Sequence, residues 1–79
     1  MMLPKKLYTV VTFHTTTDAM HMENVGKSCG LLGRLIPVPR AISAGCGLSW
    51  REPVDNKDEL LKVLKDNSVE FDETRDLEL

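Results

Sequence analysis

Residues 7–18 read Leu-Tyr-Thr-Val-Val-Thr-Phe-His-Thr-Thr-Thr-Asp, and this stretch decides the fold. Its first seven residues are rich in β-branched and aromatic side chains, which suit a half-buried β-strand. Thr15 and Asp18 then have the spacing of a capping box at the start of a helix. The sequence therefore predicts a strand that passes almost directly into a helix.

The predicted helix has one stripe of small or apolar residues and ends near Gly30. The stripe recurs at steps of three and four, at Ala19, Met22, Gly26 and Cys29. Free cysteine is most often a small buried hydrophobe. We therefore expect Cys29 to pack in the core.

The rest of the chain predicts three more strands and one more helix. Residues 33–38 form a strand that Pro37 confines to a sheet edge. Residues 46–51 alternate as a half-buried strand whose polar set, including Ser49 and Arg51, should face water. Asp55 and Asp58 mark the start of a second helix. The apolar face of this helix is formed by Leu60, Leu61 and Leu64. We expect the helix to end at Asn67 in the left-handed conformation. Residues 69–79 form a charged edge strand.

The resulting order, β-α-β-β-α-β, is the ferredoxin-like pattern of an α+β fold. We expect a four-stranded antiparallel sheet with two helices on one face, strands one and three being central. Seventy-nine residues suffice for one domain, residues 1–79.

Composition excludes several classes of function. The chain is 42% hydrophobic and 28% charged, as in ordinary globular proteins. Its net charge of −2 argues against a nucleic-acid partner bound through phosphate neutralisation. No apolar run is long enough for a signal peptide or a membrane span, so no membrane partner is expected. Two cysteines without a secretory signal indicate free thiols, and we expect a cytoplasmic location.

Residues 37–47 read Pro-Val-Pro-Arg-Ala-Ile-Ser-Ala-Gly-Cys-Gly and place Cys46 between Gly45 and Gly47. In the predicted topology, the ends of strands one and two and the start of strand three share one sheet edge with the start of the first helix. That edge should gather residues that are distant in sequence: His14, Thr15, Arg40, Ser43 and Cys46.

Such surroundings would activate a thiol. A thiolate is favoured by a helix N-terminus and by nearby Arg or His⁺. Arg40 supplies a permanent charge, His14 is a candidate base, and the two glycines let a second reactant approach. The candidate catalytic residues are therefore Cys46, His14 and Arg40, with Gly45, Gly47, Ser43 and Thr15 as binding residues.

Structural interpretations of the same residues remain open. The alternatives are an inert thiol at Cys46, a purely structural hydrogen bond at His14 and a solvated loop charge at Arg40. The cysteines and histidines lack metal-ligand spacing, so no metal site is expected. The glycines match no phosphate-binding loop.

Several of these segments resemble the small bacterial family of Se/S carrier protein-like chains. They are Phe13-His14-Thr15-Thr16, residues 35–40, Ile42-Ser43 and Cys46-Gly47-Leu48. The resemblance implies that Cys46 carries sulfur or selenium as a persulfide or selenenyl-sulfide, with no cofactor. Ala41 departs from the family pattern, where a charged residue is expected.

The resemblance also implies protein partners that donate and accept the atom, such as a cysteine desulfurase. A carrier of this kind need not be an enzyme that turns over a small substrate. A non-catalytic ferredoxin-like module that senses a ligand or forms a homodimer is the alternative function. RNA binding through the open sheet face ranks last, since Tyr8 is the only aromatic residue expected there.

Overall fold

The computed structural model describes residues 6–42 and 47–79. The described elements follow the predicted order, with one short 3₁₀ turn before the second helix. They are β1 (Leu7–Thr12), α1 (Thr16–Ser28), β2 (Arg34–Pro37), β3 (Leu48–Pro53), the 3₁₀ turn (Val54–Asn56), α2 (Lys57–Asp66) and β4 (Thr74–Glu78).

The four strands form one antiparallel sheet in the order β2-β3-β1-β4. β1 and β3 are central, and β2 and β4 are edge strands, as predicted. Pro37 closes the edge strand β2, where its missing N–H costs no ladder bond. The predicted ferredoxin-like α+β fold is confirmed.

Both helices pack on one face of the sheet. The core cluster joins Val11, Phe13 and Trp50 of the sheet side to Ala19 and Met22 of α1. Leu60 and Leu64 of α2 complete it together with Val69. Val63 is also buried, whereas Leu61 is 40% exposed, so the predicted apolar face of α2 was wrong at that position.

Close contact between α1 and β3 depends on Gly26. A Cβ at this position would lie 2.6 Å from Cη2 of Trp50. The missing side chain therefore lets the helix backbone lie directly on the indole ring, which is itself almost completely buried.

Each helix ends in a Schellman motif. In α1, the N–H of Gly30 bonds to the carbonyl of Lys27 and that of Leu31 to Gly26. Gly30 takes the left-handed conformation, with φ 73°. The prediction of a helix that ends near Gly30 is confirmed.

In α2, the N–H of Ser68 bonds to Lys65 and that of Val69 to Leu64. The left-handed residue is Ser68, with φ 50°, not Asn67 as predicted. Because Val69 closes the helix and enters the core, the last strand begins at Thr74 and not at residue 69.

The face away from the helices carries Tyr8, Val10 and Thr12 of β1. Ser49 lies on this face between Thr12 and Ile36, and its hydroxyl donates to the Ile36 carbonyl at 3.5 Å. Ser49 is fully buried, so the expectation that it faces water was wrong, and its hydroxyl is paired with a backbone carbonyl and not with solvent. Arg51, on the same face, is half-buried.

Within the described part of the chain, neither helix has the length and apolar character that crossing a bilayer requires.

Candidate functional site

Three strand ends meet at one edge of the sheet. Thr12, the last residue of β1, lies opposite Ser49 near the start of β3, and Ser49 in turn lies opposite Ile36 near the end of β2. Beyond the ladder, the N–H of Val38 donates to the carbonyl of Gly47 at 3.1 Å. The sheet register therefore forms the edge inferred from topology.

Helix α1 begins at the same edge. Thr15 is its N-cap, with extended backbone, and its Oγ1 accepts the N–H of Asp18 at 3.1 Å. The first turn of any helix leaves N–H groups without helical partners and carries the positive end of the helix dipole. The helix start predicted at Thr15 is confirmed as an N-cap, and it places a positively polarised helix end two residues after Phe13.

His14 stands between β1 and this N-cap, with its side chain 64% exposed. Its Nε2 lies 3.7 Å from Oδ1 of Asp72. Asp72 is held there by its backbone, because its N–H donates to the Thr12 carbonyl at 2.7 Å. Sequence reasoning missed Asp72, since 58 positions separate it from His14 and no local pattern links them.

Arg40 occupies a tight turn in the chain that leaves β2. The N–H of Ile42 donates to the carbonyl of Pro39 at 2.9 Å, which closes the turn around Arg40 and Ala41. Ile42 is buried and Arg40 is exposed. The buried isoleucine thus anchors the turn while the arginine faces solvent.

Three of the predicted site residues lie outside the described residues, namely Ser43, Gly45 and Cys46. Gly47, the next residue, is exposed and has φ 75°, a conformation that favours glycine. The structure therefore describes His14, Thr15, Arg40 and Gly47, with the first two and Gly47 at the sheet edge and Arg40 in the turn that follows β2.

Cys29 is exposed, so the expectation that it packs in the core was wrong. The buried stripe of α1 stops at Gly26, and Cys29 is the C-cap beyond it. Its Sγ lies 3.7 Å from Nδ2 of Asn67, the C-cap of α2. Since a helix rises about 1.5 Å per residue, the 13 residues of α1 separate Cys29 from Thr15 by roughly 20 Å.

Glu52 is a fully buried carboxylate that sequence reasoning did not single out. Its two oxygens accept four N–H donors at 2.8–3.1 Å: the backbones of Leu32 and Gly33, Trp50 Nε1 and Asn56 Nδ2. These bonds tie the loop before β2 and the 3₁₀ turn to β3. We assign Glu52 a structural role.

The described residues contain no group of three or more His, Cys, Asp or Glu side chains that could hold a metal ion. The fold and the edge together define a small ferredoxin-like domain in which a helix N-cap, a histidine and the glycine after a cysteine share one end of the sheet.

A family model described as "Putative Se/S carrier protein-like" matches residues 8–74. The chain belongs to this family, and membership in a family of carriers implies protein partners. No curated protein and no solved structure matches the chain.

Proposed function

We propose that this protein carries sulfur or selenium on Cys46 and passes it between partner proteins. Two observations support the proposal. The chain belongs to the carrier family over residues 8–74, a range that includes Cys46. The residue after Cys46 lies at the sheet edge where α1 begins. Family membership is the observation that carries the proposal.

In the proposed transfer, the Cys46 thiolate attacks the outer sulfur of a donor persulfide, R–S–SH. A new S–S bond forms at Cys46 and the donor S–S bond breaks. Its electron pair leaves on the donor as R–S⁻, and the proton stays on the transferred sulfur. The products are Cys46–S–SH and the donor thiolate, so the exchange needs neither an external oxidant nor a cofactor. A selenium donor would give Cys46–S–SeH in the same way.

The neighbouring residues have distinct roles in this proposal. The N-terminus of α1, with Thr15 as its cap, and Arg40 stabilise negative charge on sulfur. His14 exchanges the thiol proton, and Asp72 lies beside its imidazole. Gly45 and Gly47 leave space for the donor, and Ser43 is a candidate hydrogen-bond donor to the bound atom. A cytoplasmic cysteine desulfurase is the proposed class of donor.

Mass spectrometry after incubation with a cysteine desulfurase and free cysteine tests the proposal. We expect the wild-type protein to gain the mass of one sulfur atom. Cys46→Ser should lose this gain and Cys29→Ser should keep it. Cys29 is a strict control because its thiol is exposed, so labelling that follows exposure alone would appear there as well.

The alternative, a non-catalytic interaction module, gives a different result. In that case Cys46 would react with alkylating agents at the rate of an unperturbed thiol, and neither cysteine would acquire sulfur from the desulfurase. Transfer to Cys29 in place of Cys46 would also contradict the proposal.

A further inference from the structure

Three arginines lie in one row across the sheet, on the face opposite the helices. Arg34 of β2 is directly opposite Arg51 of β3, Arg51 is opposite Val10 of β1, and Val10 is opposite Arg75 of β4. Directly opposed residues in an antiparallel pair point to the same face. At a strand spacing of about 4.8 Å, the row spans roughly 14 Å from Arg34 to Arg75.

This arrangement is unfavourable for the isolated fold. Like charges directly opposite each other in a sheet are destabilising, and Arg34 and Arg51 are such a pair. Arg75 is paired, with its Nε 3.2 Å from Oε1 of Glu73. Among residues 6–42 and 47–79, no carboxylate forms an ion pair with Arg34 or Arg51. An external anion would supply the missing countercharge.

The three arginines gather positive charge on this face, although the net charge of the chain is −2. Along β4, neighbouring basic and acidic residues lie on opposite faces of the sheet. Arg75 lies on the face opposite the helices, whereas Asp76 lies opposite Thr9 on the helix side, where it pairs with Lys57. The resulting basic row would attract an acidic surface and orient it toward one face of the sheet.

The geometry favours carboxylates over the bases of a nucleic acid. The guanidinium carbon of Arg51 lies 4.6 Å from the centroid of the Tyr8 ring and covers one side of it. Phe13 and Trp50 are buried in the core shared with the helices. Sequence-specific RNA recognition on an open sheet uses free aromatic rings, whereas guanidinium groups bind carboxylates through two parallel N–H bonds.

We infer that the row formed by Arg34, Arg51 and Arg75 is the docking surface for an acidic surface of a partner protein. That the partner is the donor or acceptor of sulfur or selenium rests on the proposed function. Two residues further along each strand, about 7 Å from the row and on the same face, lie Thr12, Ser49 and Ile36 at the candidate edge. A protein docked on the row would therefore reach the edge at which Gly47 lies.

The test uses ¹⁵N-labelled full-length protein and a decapeptide of alternating Glu and Ala. We expect the peptide to shift the backbone amide signals of the arginine row and of Tyr8, more strongly at low than at high salt. Replacing Glu by Gln in the peptide should abolish the shifts. Arg34→Glu with Arg75→Glu should weaken peptide binding by about tenfold or more, because rim charges of this kind set electrostatic attraction.

A matched double variant, Lys27→Glu with Lys62→Glu, changes the net charge equally but lies on the exposed sides of the helices. It should change peptide affinity by no more than about twofold. Both arginines chosen are exposed and on edge strands, and the neutral pair Arg34→Gln with Arg75→Gln provides a milder variant if charge reversal impairs folding.

Three results would overturn the inference: no binding of the peptide, an equal loss in the lysine variant, or tighter binding of a uridine decanucleotide to the same face. The last would identify a nucleic-acid interface. This experiment is separable from the sulfur-transfer assay, since it does not involve Cys46. Wild-type protein that accepts sulfur but does not bind the peptide would overturn only the docking surface.

Discussion

At the scale of single residues, the carboxylate of Glu52 takes the place of water for four N–H donors from three parts of the chain. A donor left unpaired in the interior costs about 1–3 kcal/mol, so the cost of losing Glu52 is shared by several groups at once. Gly33 belongs to the same cluster, because a Cβ there would meet the Arg51 carbonyl, Glu52 Oε1 and Trp50 Nε1. The loop before β2 is thus fitted closely around one side chain.

We expect Glu52→Gln to lower the free energy of unfolding by roughly 2–4 kcal/mol. The amide would place an N–H₂ group against N–H donors, so at least one pair would become donor against donor. Urea unfolding measures the change. Glu70→Gln is the control, because Glu70 is exposed and should alter stability by less than about 0.5 kcal/mol. Equal effects of the two substitutions would contradict the structural role of Glu52.

What the sequence predicts for single residues depends on how far away their partners are. Thr15 and Asp18 were predicted as a cap because the bond spans three positions. The contacts of Glu52 with Leu32 and Gly33 span about twenty positions, and no local pattern indicates them. The exposure of Cys29 was missed for a related reason, since helical periodicity does not show where the tertiary contacts of a stripe end.

At the scale of elements, the two helices end in the same motif with different residues at the left-handed position. α1 has Gly30 there and α2 has Ser68. For a residue with a side chain, the left-handed conformation costs roughly 1–2 kcal/mol. The second helix therefore ends with a strain that the first helix does not have.

We expect Ser68→Gly to raise the free energy of unfolding by roughly 0.5–1 kcal/mol. The relief of strain is partly offset, because glycine gives the unfolded chain more conformational freedom. The reciprocal variant, Gly30→Ser, should lower stability by a similar or larger amount, and thermal unfolding measures both. The left-handed assignment at residue 68 would be wrong if the serine variant of α1 and the glycine variant of α2 shifted stability in the same direction.

Element order was predictable from the chain, whereas element boundaries near α2 were not. The alternation and turn residues of each segment are local signals, and they predicted all four strands and both helices. The start of β4 depends instead on Val69, whose N–H bonds back to Leu64 while its side chain enters the core. That competition between helix closure and strand pairing is decided by tertiary packing.

At the scale of the whole molecule, the topology brings distant segments of the chain to one edge of the sheet. The order of the elements along the chain was sufficient to predict this edge. The opposition of Thr12, Ser49 and Ile36 confirms the edge. The positions of Asp72 beside His14 and of the arginine row across four strands depend on register, which the sequence pattern leaves open. Fold topology was therefore predictable, and the electrostatic detail of both surfaces was not.

One carboxylate links three elements of the molecule. Asp76 of β4 accepts hydrogen bonds from Lys57 of α2 at 3.0 and 3.2 Å and from the hydroxyl of Thr9 of β1 at 2.9 Å. The hydrogen bond from Lys57, and then that from Thr9, hold the pKa of Asp76 below its ordinary value of 3.8. The folded chain therefore favours the ionised carboxylate more than the unfolded chain does.

This direction of shift fixes the pH dependence. A carboxylate whose pKa is lowered in the folded chain stabilises the fold, and this stabilisation is complete at pH values above the ordinary pKa of the group. The stabilisation is lost as the pH falls through the lowered pKa of the folded state. We expect Asp76→Asn to lower the free energy of unfolding by up to about 1 kcal/mol near neutral pH, as for partly exposed pairs. The difference from wild type should stay constant from pH 7 to pH 5 and shrink below about pH 4.

Chemical unfolding across this pH range measures the difference, and Lys57→Gln supplies the second arm of a double-mutant cycle. Because Lys57 makes the largest contribution to the lowered pKa of Asp76, removing it should erase most of the pH-dependent difference. In the Asp76→Asn background, the lysine substitution should then have little further effect. A difference that persisted unchanged below pH 4, or that survived the loss of Lys57, would show that Asp76 acts through its packing and not through its charge.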